Sequence, residues 1–151
     1  MGTLKDRLET DLRAAMKARD ELVTSTLRMA LAAVRTAEVS GKQARALSDD
    51  EVRAVLTAET KKRREAAGAY DLAGRAEQAE RERAEESVLT GYLPAQLSDE
   101  ELSAVVTDAL AGFAATGKGA MGPAMKVAQA AVAGRAEGGR VAAEVRRQLG
   151  I

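Results

Sequence analysis

The chain has 151 residues, 23 basic and 23 acidic side chains, and neither cysteine nor histidine. The missing cysteine excludes disulfides, thiolate metal sites and thiol nucleophiles, and the missing histidine removes the commonest general base and metal ligand. Much of the apolar content is alanine, with two Tyr, one Phe and no Trp, and such a composition favours close-packed helices over sheets. We therefore expect an all-α protein. An enzyme could still be built from the remaining carboxylates, Lys, Arg, Ser, Thr and Tyr, but most familiar constellations are absent, and we assign no catalytic residue, no metal ligand and no cofactor.

We expect no secretory signal at the amino terminus. Charged side chains begin at Lys5, and no apolar core of a signal peptide follows. Nowhere do about 18 apolar residues run together, as a membrane-spanning helix would need. We expect a cytoplasmic protein with no membrane partner.

The first two predicted helices are marked by apolar residues that recur at a spacing of three and four. One apolar stripe covers residues 4–16 and follows Thr3, which is a suitable N-cap. A second stripe covers residues 23–34 after Asp20, and we expect Gly41 to end its helix.

The next two helices are separated by a short break. Ser48–Glu51 has the sequence of a capping box, in which the serine hydroxyl and the glutamate carboxylate each accept a backbone N–H. The helix that it opens is predicted to end near Tyr70. After the break at 73–75, a highly charged helix is predicted over 76–90.

Pro94 predicts the boundary between two parts, because the residue before a proline is disfavoured in the helical conformation. A second capping box, Ser98–Glu101, begins the next helix. Six glycines between residues 117 and 139 then separate short helices predicted over 122–133 and 138–149. The sequence therefore predicts a bundle of long helices followed by a small domain of short helices; the two predicted domains are 1–94 and 95–151.

Charge is distributed unevenly within the second part. Residues 1–94 hold 17 bases and 17 acids. Residues 95–109 hold four acids and no base, and residues 110–151 hold six bases and two acids, a local balance of +4. A basic end on a neutral protein is compatible with a nucleic-acid partner. Helix-dipole complementarity by itself also accounts for Arg146 and Arg147 near a helix end.

The densest basic run is Lys61-Lys62-Arg63-Arg64. Four consecutive residues cover a whole helical turn and cannot all face one ligand. Glu59 and Arg63 have the i,i+4 spacing of a stabilising ion pair. We favour a solvated, salt-paired face, and a phosphate-contacting surface made by Lys62, Arg63 and Arg64 is the alternative.

Two acidic clusters, Asp49–Glu51 and Asp99–Glu101, lie in predicted first turns of helices. Carboxylates are expected there because they cap the helix and interact favourably with its dipole. We therefore interpret them as capping residues and predict no metal site.

The glycine-rich stretches suggest where a phosphate could bind. A helix start at Gly117-Lys118-Gly119 could present backbone N–H groups to an anion, although a linker is the simpler interpretation. The turn Gly134-Arg135-Ala136-Glu137-Gly138-Gly139 is more specific. A joint between two helices explains its glycines but does not require Arg135, and a guanidinium beside exposed N–H groups suits a phosphodiester.

Several of these segments together resemble the YqeY proteins, which share a domain with the tail of the B subunit of the glutamine-dependent tRNA amidotransferase. The resemblance covers essentially the whole chain. It rests on Ser25-Thr26-Leu27-Arg28-Met29, Glu59 with Lys62-Arg63-Arg64-Glu65, Ala73-Gly74-Arg75, Tyr92-Leu93-Pro94 with Gln96-Leu97-Ser98, Met121-Gly122, Met125, and the turn from Gly134 to Gly138 followed by Val141.

The resemblance and the basic C-terminal part imply a non-catalytic, tRNA-associated helper. We expect its C-terminal domain to contact RNA through Lys118, Lys126, Arg135 and Arg140. Two alternatives are participation in glutamine-dependent amide transfer, as a carbon–nitrogen ligase component, and a protein-interaction module that docks on a protein partner through residues 1–94. The sequence leaves the oligomeric state open.

Overall fold

A computed structural model describes residues 3–113 and 118–151. All regular secondary structure in these residues is helical, with seven α-helices and one short 3-10 helix, so the all-α prediction is confirmed for the described chain. The α-helices are α1 (Leu4–Lys17), α2 (Glu21–Glu38), α3 (Asp49–Leu72), α4 (Ala76–Thr90), α5 (Asp99–Leu110), α6 (Met121–Val132) and α7 (Gly138–Leu149), and the 3-10 helix is Lys118–Ala120. The chain divides into two compact units, Met1–Leu93 (unit 1) and Pro94–Ile151 (unit 2).

Unit 1 contains α1 to α4. Helix α2 packs against α1, α3 and α4, and the most extensive helix–helix contact is between α3 and α4. Leucine and valine side chains from all four helices form the core, and each fully buried one stabilises the fold by about 1.5–3 kcal/mol relative to leaving it in water. The core includes Leu4, Leu8, Leu27, Leu31, Val34, Val52, Leu56 and Leu89.

The predicted caps of unit 1 form. The Thr3 and Ser48 hydroxyls accept the backbone N–H groups three residues later, with the reciprocal carboxylate bonds in place, and Asp20 caps α2. Two helix ends differ from the predictions. Helix α2 ends at Glu38 rather than at Gly41, and α3 continues to Leu72, two residues beyond Tyr70.

Unit 2 contains the 3-10 helix and α5, α6 and α7, and each of these α-helices packs against the other two. Helix α6 begins at Met121, one residue before the predicted start, and α7 has the predicted bounds. Alanines in α6 permit close helix contacts. The core of the unit includes Leu102, Val106, Ala124, Ala128, Val132, Val141 and Val145.

Candidate nucleic-acid interface

The turn between α6 and α7 reverses the chain through two left-handed residues. Ala133 has φ of 51° and Gly134 has φ of 78°. The guanidinium of Arg135 then folds back onto the end of α6. Its Nε donates to the Val132 carbonyl at 2.9 Å, and its Nη2 donates to the Ala131 carbonyl at 2.9 Å. Because the last carbonyls of a helix lack intrahelical donors, Arg135 serves as a side-chain cap of α6.

The same turn fixes the segment that precedes α5. The Leu97 N–H donates to the Arg135 carbonyl at 2.7 Å, and Nη2 of Arg140 donates to the Leu97 carbonyl at 2.8 Å. Arg140 also pairs with Asp99 at 2.9 Å. Both backbone polar groups of Leu97 are therefore satisfied by the α6–α7 turn and the start of α7, and the side chain of Leu97 is buried.

Two of the four predicted RNA-contacting residues thus have structural roles within unit 2. The joint between α6 and α7 uses Arg135, because its guanidinium satisfies carbonyls at the end of α6 and its own carbonyl accepts the Leu97 N–H. Arg140 connects α7 to the chain ahead of α5. The role of Arg140 could not be assigned from the sequence, since its partners lie about 40 residues away.

The other two predicted RNA-contacting residues are Lys126 and Lys118. Lys126 is exposed on α6, and its side chain makes no hydrogen bond or ion pair with any residue that the structure describes. The side chain of Lys118 and the residue Gly117 lie outside the described residues, so the prediction for the 117–119 stretch stays a prediction.

The exposed charged residues of unit 2 separate by helix. On α5 they are all carboxylates, whereas on α6 and α7 they are all cations. The carboxylates are Asp99, Glu100, Glu101 and Asp108, and the cations are Lys126, Arg146 and Arg147. Unit 2 therefore has an acidic side made by α5 and a basic side made by α6 and α7.

Glu101, Glu144 and Arg147 are charged residues of α5 and α7 that hydrogen bonds hold in place. Hydrogen bonds from the Ser98 backbone and hydroxyl hold the pKa of Glu101 below its usual value, and the nearby positive charge of Arg135 lowers it further. Hydrogen bonds from Arg147, and then from Gln148, lower the pKa of Glu144 to about 2. Arg147 also donates to Ser103 on α5 at 3.1 Å. Arg147 therefore ties α7 to α5.

Arg146 is the residue that sequence reasoning undervalued. Its position in the last turn of α7 suits the helix dipole, as predicted. Its side chain is nevertheless exposed and makes no ion pair or side-chain hydrogen bond with the described part of the chain. Together with Lys126, it is a cation that the described fold leaves to solvent.

The basic run of α3 is engaged inside unit 1. Lys62 pairs with Glu59 at 2.9 Å, and Nε of Arg64 lies 3.1 Å from a carboxylate oxygen of Glu86 on α4. Arg63 is not solvated, contrary to the predicted solvated face, because only 19% of its side chain is exposed. These pairings reduce the charge that the run presents to a phosphate.

Arg63 lies at the centre of an ion-pair cluster between α3 and α4. Its guanidinium nitrogens are 3.6 Å from Glu59, 3.5 Å from Glu82 and 3.8 Å from Glu85. The side chains of Glu59 and Glu85 are only 10% and 8% exposed. Arg81 also pairs with Glu85 at 3.3 Å. The i,i+4 pair was predictable from spacing, but the two carboxylates of α4 could be assigned only once the helices were packed.

A groove of about 550 Å³ runs between α2 and α3 in unit 1. Four of its ten lining residues are alanine, three of them on α2, and its three charged residues all belong to α3. The lining residues are Met29, Ala32, Ala33, Thr36, Ala37, Val55 and Ala58, with Glu59, Lys62 and Arg63. The small side chains on the α2 wall would let another backbone approach that helix closely.

Within residues 3–113 and 118–151, no group of three or more acidic side chains is placed to hold a metal ion. Among the described helices, none has the length and apolar content to cross a membrane.

Comparison with protein-family models identifies the family of the chain. The family model described as Yqey-like protein matches residues 5–149, nearly the whole chain and both units. The chain belongs to the YqeY family, and the resemblance predicted from its motifs is confirmed. No curated protein matches it.

Proposed function

We propose that this chain is a non-catalytic helper that associates with tRNA through unit 2. The observation that carries the proposal is the basic side of that unit, where every exposed charged residue of α6 and α7 is a cation. Such a surface attracts a phosphodiester backbone and releases its counterions. The choice of tRNA among nucleic acids comes from the resemblance to the tail of the amidotransferase B subunit.

The chemistry of unit 2 supports binding to the backbone rather than to bases. Sequence-specific recognition of RNA usually stacks unpaired bases on aromatic side chains. The sole aromatic residue after Tyr92 is Phe113, which packs against the core of unit 2. We therefore expect salt-dependent binding with little selectivity for sequence.

Fluorescence anisotropy of labelled bulk tRNA, titrated with the purified full-length protein at low salt, tests the proposal. Binding should appear at low ionic strength, and its affinity should fall as salt increases. A duplex DNA of similar length is the control for attraction to any polyanion. Absence of tRNA binding at low salt, or equal binding of the DNA, would contradict a role with tRNA.

The non-catalytic part of the proposal is tested separately. Glutamine is incubated with the protein, with and without tRNA, and ammonia release is measured. We expect no release above that of a protein-free control. Release that rises with protein concentration would favour the amide-transfer alternative.

The α2–α3 groove favours a second candidate function, that of a module that binds a protein partner through unit 1. Its α2 wall, which contains Ala32, Ala33 and Ala37, suits the helix-in-groove mode of recognition. Ala58→Arg would block the groove, while Ala54→Arg places the same side chain on an exposed position of α3 outside it. A protein that co-purifies after RNase treatment with wild type and Ala54→Arg, and not with Ala58→Arg, would support this function.

A further inference from the structure

We infer that the RNA-contacting surface of unit 2 is the outer side of α6 and α7, with Lys126 and Arg146 as its phosphate-binding cations. Arg135 and Arg140 are positioning residues that hold the α6–α7 turn to the chain ahead of α5. This inference rests on the proposed function and identifies the residues that would perform it.

The first argument is electrostatic. All four exposed charged residues of α5 are carboxylates, so α5 repels a polyanion, whereas the exposed residues of α6 and α7 include no carboxylate. Glu144, which belongs to α7, has a side chain only 14% exposed and is neutralised by Arg147. A nucleic acid therefore meets an attractive field on one side of unit 2 and a repulsive field on the other.

The second argument concerns the two arginines of the turn. Arg140 is paired with Asp99 and donates to the Leu97 carbonyl, so a phosphate would have to compete with both acceptors. Arg135 donates hydrogen bonds to two carbonyls of α6, and its positive charge helps to lower the pKa of Glu101. Both guanidinium groups therefore lie beside the acidic start of α5.

The third argument concerns what surrounds the remaining cations. Lys126 and Arg146 are exposed and have no ion-pair partner among the described residues, so binding a phosphate would break no described contact of theirs. Their exposed neighbours along α6 and α7 are mostly small, which lets a phosphodiester backbone come close to the helices. The small ones are Gly122, Pro123, Ala130, Gly138, Gly139 and Ala143, and the larger ones are Val127, Gln129 and Arg147.

The test measures tRNA affinity of the full-length protein across a series of salt concentrations. The variants Lys126→Gln and Arg146→Gln each remove one cation from an exposed position. The slope of log affinity against log salt is negative. Each variant should make it less steep by about one unit, as expected for one lost phosphate contact. Arg147→Gln is the matched control on the same helix, because Arg147 is already paired with Glu144 and hydrogen-bonded to Ser103, and its slope should stay close to that of the wild type.

The positioning role needs a readout that does not depend on RNA. Arg140→Gln should lower the thermal unfolding midpoint and accelerate hydrogen exchange at the Leu97 amide, because it removes a hydrogen bond to the Leu97 carbonyl. Its salt slope, measured at a temperature where the variant is folded, should match that of the wild type. Lys126→Gln and Arg146→Gln should change the unfolding midpoint less than Arg140→Gln does, and for Arg146→Gln only by the small loss of its interaction with the helix dipole.

The outcomes separate the inference from the proposed function. A wild-type protein that does not bind tRNA at low salt refutes the proposed function, and the inference with it. Wild-type binding with unchanged slopes for Lys126→Gln and Arg146→Gln overturns the inference alone. A reduced slope for Arg140→Gln with an unchanged unfolding midpoint also overturns it, since Arg140 would then be a direct contact.

Discussion

Arg63 holds three carboxylates at the interface between α3 and α4, and its removal should destabilise unit 1 strongly. In Arg63→Met, the side-chain stem is replaced by one of similar length, and the positive charge is lost. Glu59, Glu82 and Glu85 would then face one another across the interface. Glu82 and Glu85 would lose their ion pairs with Arg63, which measure 3.5 and 3.8 Å.

The expected magnitude follows from the distances. At an effective dielectric constant of about 20, opposite charges some 4 Å apart attract by about 4 kcal/mol. Each of the three contacts, at 3.6, 3.5 and 3.8 Å, falls in that range. Most of this attraction is offset by the cost of removing the ions from water, and breaking a buried ion pair typically costs about 3–5 kcal/mol. Because 19% of the Arg63 side chain is exposed, we expect a loss at the lower end, about 3 kcal/mol.

Urea denaturation followed by circular dichroism measures this loss as a change in the free energy of unfolding. Arg53→Met is the matched control on the same helix. Arg53 pairs with Asp50, whose side chain is 94% exposed, and such surface pairs contribute about 0–1 kcal/mol. The two variants lose the same charge and gain the same side chain, so their difference reports the buried cluster.

A loss of less than about 1 kcal/mol for Arg63→Met, or a loss equal to that of the control, would refute the reasoning. It would mean that desolvation cancels the attraction in this cluster. Arg63→Lys provides a further check. A lysine keeps the charge but lacks the planar fork of donors that reaches several carboxylates, so its stability should fall between those of the wild type and Arg63→Met.

Three further predictions concern unit 2. The Arg147 partner holds the pKa of Glu144 at about 2, below its value in the unfolded chain. The pairing therefore stabilises the fold above that unfolded value and is lost as pH falls towards 2, so the thermal-midpoint advantage of wild type over Glu144→Gln should shrink with acidification. Ser98→Ala removes the cap of α5 and should cost about 1 kcal/mol in urea denaturation. Arg140→Ala, which loses its bond to the Leu97 carbonyl, should speed hydrogen exchange at the Leu97 amide.

Each of these has an outcome that would contradict it. A difference between wild type and Glu144→Gln that persists down to pH 2 would show that charge pairing is not its source. For the cap, Ser98→Asp is the control, because aspartate also caps a helix, and it should retain the stability that alanine loses. Unchanged exchange at Leu97 in Arg140→Ala would show that the turn holds the segment without Arg140.

Helix starts were predictable because the interactions that set them are local. The hydroxyls of Thr3, Ser48 and Ser98 each accept the N–H three residues later, so a window of four residues contains the whole signal. Helix ends were less so. Helix α2 ends at Glu38 ahead of the glycine expected to stop it, while α3 continues past its predicted end. Val39 and Leu72 at these two ends are exposed, so packing in the core does not set them.

From the sequence, the candidate site could be predicted only as a set of basic residues, without the contacts that each of them makes. Sequence spacing alone gave the Glu59–Arg63 pair, since both residues belong to one helix. The partners of Arg140 and the α4 carboxylates around Arg63 are far away along the chain, and no local pattern indicates them. Arg135 was predicted to contact RNA because a guanidinium beside exposed N–H groups suits a phosphodiester. Its use as a cap of α6 is visible only in the left-handed turn that folds it back.

By itself, the sequence determined the helical class, the start of each capped helix, the family and the excess of positive charge in the last 42 residues. These features depend on composition, short-range spacing and matching motifs. Only the tertiary structure decided which cations are used inside the fold and which face solvent. Pairing requires two groups to come within about 4 Å, and between different helices that distance is set by packing of the core.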